Sequence, residues 1–146
     1  PAPVPAPDPS TPEKRGEYVL RTSACHHCHT PMKSGQLDET LDMAGGSEYE
    51  SPAGRAFATN VTLDPTGIAH YDAATFVQVM RTGKLGTLHP VMPWAVFSRM
   101  TDEDLAPLYA YMRTLKPVKH VVTNGGEPTG CVVCGLKHSG GDRNGT

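Results

Sequence analysis

Cys25-His26-His27-Cys28-His29 is the stretch that fixes what this sequence must fold around. Two cysteines separated by two residues place both sulfurs along one edge of a porphyrin, where they form thioethers. A histidine directly after the second cysteine turns beneath the iron as its proximal ligand. Cys-x-x-Cys alone is a weak signal, shared with zinc sites and thiol redox motifs, and His29 narrows it to covalent attachment of a c-type haem. Zinc would need two more ligands. The only other pair, Cys131 and Cys134, is followed by Gly135 in a glycine-rich end. One attachment motif predicts one haem c per chain. His26 and His27 fall in the interior of the attachment loop and read as solvated.

Before the motif, Ser10 or Thr11 can cap a helix with Pro12 in its first turn, running from Glu13 to about Thr22 and delivering the chain into Cys25. After it, from Thr30 to Asn60, apolar residues are sparse and unperiodic and are punctuated by Gly45, Gly46, Pro52 and Gly54. That pattern predicts a long surface loop with at most short helical turns, and a loop of such length needs something to wrap around. Asp72 suits the N-cap of a helix over 73–82, with Phe76, Val79 and Met80 at i, i+3 and i+4 and Gly83 at its end. A last helix is signalled by Thr101 three residues before Asp104, then Leu105, Leu108, Tyr109, Met112 and Leu115 on one face, with Pro117 as the stop. Pro107 lacks a backbone donor, so it fits only if the regular helix begins near Asp104 or kinks there. No alternating strand pattern of any length is present, and the predicted class is all-α with long loops.

Composition agrees with a domain built around a cofactor. At 146 residues the chain suits one globular domain, and 38% hydrophobic with only 6% aromatic residues leaves a modest core that a large apolar group would help to close. The formal charge is −2 with no basic run, so nucleic acid is excluded as a partner. No stretch reaches the roughly 20 apolar residues of a membrane span, and no signal segment opens the chain, which reads as a mature or trimmed product. Residues 1–12 are proline-rich and expected to form an extended tail or linker, compatible with a membrane tether upstream. The domain is expected over 13–120, and 121–146 is a glycine-rich, poorly packed extension holding Cys131 and Cys134.

Taken in order, these pieces resemble a single-haem class I cytochrome c, especially the cytochrome c modules associated with bacterial periplasmic and membrane-bound dehydrogenases. The matching residues are Gly16-Glu17-Tyr18, Cys25 to Pro31, Asn60-Val61-Thr62 with Asp64-Pro65 and Gly67-Ile68, and Phe76 to Gly83. Met92-Pro93-Trp94, Met100 to Leu105 and Ala110-Tyr111-Met112 follow. The resemblance covers about Glu13 to Val118. It implies a small helical fold in which first and last helices cross near one haem edge, with His29 as proximal and Met92 as distal iron ligand. It also implies a periplasmic or otherwise extracytoplasmic place. Pro107 and the Cys131 to Cys134 extension depart from the family pattern.

Several residues carry plainer readings beside these. His89 competes with Met92 for the distal position, as does Met100; Pro93 and Trp94 favour Met92, whereas Pro90 biases His89 toward an extended conformation. Phe76, Met80, Leu108, Tyr109 and Met112 read as core, and His70, His120 and His138 as solvated. Asn60 and Arg81 are candidate partners for haem propionates. Cys131 and Cys134 are expected to form a disulfide in an oxidising compartment, the alternative being a labile thiol pair or a metal site with His138. A haem held by His and Met has no open position, which suits a one-electron carrier working between redox proteins: a dehydrogenase, another cytochrome or an oxidase. A haem-dependent oxidoreductase would want an open distal site, and a haem-based sensor would want an output domain. A subunit of a dehydrogenase complex remains compatible with the carrier reading.

Overall fold

The computed structural model describes residues 8–52, 54–85, 88–124, 128–133 and 135–139. Among them are five helices: α1 (Pro12–Thr22), α2 (Cys25–His29), α3 (Ala73–Thr82), α4 (Trp94–Phe97) and α5 (Asp102–Met112). Three antiparallel two-stranded ladders accompany them. β1 (Met32–Lys33) pairs with β2 (Gln36–Leu37), β3 (Glu48–Ser51) with β4 (Gly54–Phe57), and β5 (Pro128–Gly130) with β6 (Lys137–Ser139). The expected all-α class is therefore corrected to helices with small ladders. Strands of two to four residues are too short to print an alternating pattern, so neither the long loop nor the C-terminal extension announced them.

The helix ends follow their side chains. Thr11 accepts from the Lys14 N–H with Pro12 behind it, and Asp72 accepts from the Thr75 N–H at 2.7 Å. Gly83 closes α3 in the left-handed conformation (φ 61°), its N–H donating to the Val79 carbonyl. α5 stops at Met112, one turn before the expected Leu115, and Thr101 makes no side-chain cap bond.

Pro107 lies inside α5, which begins two residues before Asp104. Its missing N–H leaves the Glu103 carbonyl without the helical partner four residues on. Arg15 of α1 supplies the replacement, Nε donating to that carbonyl at 2.9 Å while Nη2 pairs with Asp104 at 2.7 Å. The helix absorbs the proline because its neighbour fills the vacant acceptor. α1 and α5 come so close at this level that a Cβ on Gly16 would lie 2.0 Å from the Pro107 oxygen, and only glycine fits.

The core gathers around this crossing. Val19 and Leu20 of α1 meet Leu105, Leu108, Tyr109 and Met112 of α5, with Phe76 and Met80 of α3, and with Met43, Ile68 and Phe97 from the loops. Phe76 and Tyr109 pack with ring centroids 5.2 Å apart, and the Tyr109 hydroxyl donates to the Tyr71 carbonyl. The chain beyond α5 stays with the domain at least to Asn124, whose side-chain amide donates to the Phe57 carbonyl at 2.9 Å and accepts from the Phe57 N–H. Among the described residues no helix is long and apolar enough to cross a membrane.

Candidate functional site

α1 hands the chain to the attachment motif through Ala24, which takes the left-handed conformation (φ 58°) and turns the backbone sharply into α2. One helical turn then sets Cys25 and Cys28 three residues apart on the same face, both half-buried free thiols. Burial pushes the Cys25 thiol up to about 11, so it stays protonated at neutral pH. That is the opposite of the depressed thiol expected of a reactive dithiol. Among the described residues no group of three or more His, Cys, Asp or Glu side chains is placed to hold a metal ion by itself, so the zinc alternative lacks its further ligands there.

His29 is buried, with 7% of its surface exposed. Its Nδ1 sits 2.8 Å from the Thr59 carbonyl oxygen. A carbonyl can only accept, so Nδ1 carries the proton and Nε2 is left with its lone pair free. Desolvation lowers the imidazole pKa below its ordinary 6.5, against the opposing pull of the Thr59 bond, and the ring is held neutral. A buried neutral imidazole with an oriented Nδ1–H is the ligand form of histidine. Its backbone is pinned too, the Gly45 N–H donating to the His29 carbonyl at 2.7 Å. The thioether-forming pair, the free Nε2 and the apolar cluster against which Cys25 packs together fit a covalently held haem.

Of the distal candidates, Met92 and His89 lie in the turn before α4 and Met100 lies just after it. Met92 is half-buried and packs against the core cluster, as do Trp94 and Met100. The turn is closed by the Trp94 N–H donating to the Met92 carbonyl (2.7 Å) and by Trp94 Nε1 donating to the His89 carbonyl (3.0 Å). The indole ring rests on the end of α3, where a Cβ on Gly83 would come 2.7 Å from Trp94 Cγ. His89 uses its Nδ1 to accept the Val91 N–H at 3.1 Å. In that arrangement a neutral His89 carries its proton on Nε2 and has no outward lone pair to give.

Asn60 and Arg81, the two propionate candidates, are engaged by protein. Asn60 Nδ2 donates to the Val118 and His120 carbonyls and to Thr66 Oγ1, and its Oδ1 accepts from the Thr62 N–H and hydroxyl. Arg81 donates to the Ser98 and Met100 carbonyls and pairs with Asp102, which ties α3 to the start of α5. Three histidines read as solvated are not. His26 is 3.0 Å from Asp42, His120 Nδ1 is 2.9 Å from the Ala44 carbonyl, and His70 is half-buried with Nδ1 enclosed and unpartnered. His27 is exposed, as expected. Cys131 is buried at the end of β5, whereas Cys134 and the side chain of His138 lie outside the described residues.

Sequence reading missed Thr59, which acts through its backbone carbonyl and so has no side-chain signature. Tyr49 was also missed. It hydrogen-bonds to Cys28, and desolvation first, then this contact, raises its pKa.

A family model for cytochrome c matches residues 13–116. The chain is 47% identical over 110 residues to the cytochrome c subunit of a quinone alcohol dehydrogenase from Gluconacetobacter polyoxogenes, a stretch covering 72% of this chain and 22% of that protein. It is 38% identical over 123 residues to a fructose dehydrogenase cytochrome subunit from Gluconobacter japonicus, covering 81% and 24%. It is 41% identical over 110 residues to a gluconate 2-dehydrogenase cytochrome c subunit from Pantoea cypripedii, covering 72% and 24%. The matched stretch thus spans under a quarter of the length of these relatives.

Proposed function

Because this chain belongs to the cytochrome c family, we propose that it carries one haem c and passes single electrons between redox proteins outside the cytoplasm. The observation that carries the reading is the buried His29, its Nδ1 given to Thr59 and its Nε2 free, directly after the paired thiols of Cys25 and Cys28. When bound, haem c supplies a one-electron iron couple. The chain's own residues supply the rest. Cys25 and Cys28 anchor the group covalently, His29 offers Nε2 from one face, and the apolar cluster of α3, α4 and α5 keeps water from the ring.

Met92 is proposed as the residue that would supply the second protein ligand to the iron. Its half-buried place against the core supports this, as does the inward use of His89 Nδ1 by its own turn. Soft thioether sulfur stabilises ferrous iron and raises the potential, and a filled distal position leaves no site for substrate, which suits a carrier rather than an enzyme. The relatives are dehydrogenase cytochrome subunits, so a dehydrogenase is the proposed electron donor, with another cytochrome or an oxidase as acceptor. The domain is taken as 13–120, with 1–12 as a tail suited to a tether and 121–146 as an extension in which Cys131 and Cys134 form a disulfide.

The test is covalent stoichiometry. An alkaline pyridine spectrum of the holoprotein should give one c-type haem per chain, and acidic acetone should extract none. Extraction of the haem would overturn the proposal.

A further inference from the structure

Two loops hold His29. Residues 43–46 reach its backbone, where the Gly45 N–H donates to the His29 carbonyl at 2.7 Å, and residues 58–60 reach its ring, where the Thr59 carbonyl accepts from Nδ1 at 2.8 Å. The loops lie on each other, the Gly46 N–H donating to the Ala58 carbonyl and a Cβ on Gly45 approaching within 2.6 Å of the Thr59 oxygen. Neither belongs to a helix. Both are gripped by the chain that leaves α5. Asn60, only 3% exposed, donates to the Val118 carbonyl at 2.8 Å and to the His120 carbonyl at 3.3 Å. His120 then crosses to the other loop, its Nδ1 donating to the Ala44 carbonyl at 2.9 Å and its ring lying against Gly46, while its N–H donates to Thr66 Oγ1 at 3.0 Å.

We propose that Asn60 and His120 are positioning residues that close residues 118–120 as a clasp over both loops, and so set the length and direction of the hydrogen bond between His29 and Thr59. The inference rests on the reading of His29 as the proximal ligand. A donated Nδ1–H makes Nε2 a more basic ligand, which favours the ferric state. Loosening the clasp therefore raises the reduction potential.

The test uses full-chain holoprotein carrying Asn60→Ala, His120→Ala or His120→Gln. Redox titration gives the midpoint potential, and proton spectra of the ferric form follow the His29 Nδ1–H resonance and its exchange with solvent. Either alanine variant should shift the equilibrium toward the ferrous form by about tenfold, roughly 59 mV upward for one electron, and should speed exchange of Nδ1–H. His120→Gln keeps a donor for the Ala44 carbonyl and should restore most of both. If Asn60→Ala yields no holoprotein, the two His120 variants carry the test. Unchanged potential and unchanged Nδ1–H exchange in His120→Ala would overturn the clasp, however far the melting temperature fell. A native ferric protein with no iron-shifted His29 resonance would instead remove the ligand assignment, and the clasp with it.

Discussion

His29 and Met92 stand in differently built surroundings. The bonds that hold His29 from outside its own helix come from far along the chain: Gly45 is sixteen residues away and Thr59 thirty, and Asn60 and His120, which secure the loops around it, are joined across sixty. Met92 sits in a turn whose bonds run among residues 89 to 94, and its main outside support is the Trp94 ring resting on Gly83. His29 is thus held by the tertiary structure, whereas Met92 is presented by a local turn. Damage at His29 should spread into the fold. Damage at Met92 should stay local.

The largest contrast is between two truncations. His29→Ala removes a buried side chain and leaves the Thr59 carbonyl without its donor, so little holoprotein should accumulate, measured as covalent haem per purified chain. Met92→Ala should give folded holoprotein with full haem content, a lowered potential and an iron open to carbon monoxide. Equal loss of holoprotein in the two variants would break the comparison.

Gly83→Ala sharpens it. The substitution forces a side chain into a left-handed position and against the Trp94 ring, which should cost about 1–3 kcal/mol in thermal or denaturant unfolding. The spectrum should also shift toward that of Met92→Ala, because Trp94 closes the turn that presents Met92. A stable Gly83→Ala protein with a native spectrum would show that the Trp94 contact does not hold the distal turn.

Arg15→Ala tests a smaller effect away from both His29 and Met92. It strips the donor from the Glu103 carbonyl that Pro107 cannot serve, and the partly exposed site limits the loss to about 1 kcal/mol. In an Arg15→Ala background, Pro107→Ala should recover that loss by restoring the helical N–H. No recovery in the double variant would mean that Arg15 acts through Asp104 alone.

The smallest effect is on pH. Asp72 caps α3, and the Thr75 N–H holds its carboxyl below the ordinary 3.8. Its folded-state pKa is depressed, so its contribution is complete above pH 3.8 and fades as pH falls through the lower folded value. Asp72→Asn, which keeps an acceptor, should flatten that acid limb of a melting-temperature profile without altering the plateau near neutrality.

The same division explains what the sequence could tell. α1 and α3 follow from caps and apolar spacing that sit in the residues themselves, α5 from its apolar spacing, and the single turn that holds Cys25, Cys28 and His29 from one contiguous motif. What replaces the missing Pro107 donor escaped because it comes from Arg15, which no local pattern connects to Glu103. The two ladders within 30–60 escaped because strands of two to four residues leave no period. Asn60 and Arg81 looked like free donors, as side-chain type alone does not reveal that backbone carbonyls of residues 118, 120, 98 and 100 already use them. Thr59, acting through a carbonyl, could not have been found from residue identity at all.

A haem held by His29 and Met92 with no open position has a definite optical signature, read from native holoprotein with and without carbon monoxide. The ferric form should show the weak long-wavelength band of sulfur bound to iron, and the ferrous spectrum should not change when carbon monoxide is added. Rapid carbon monoxide binding, or the absence of the sulfur band, would mean that Met92 does not fill the second position on the iron.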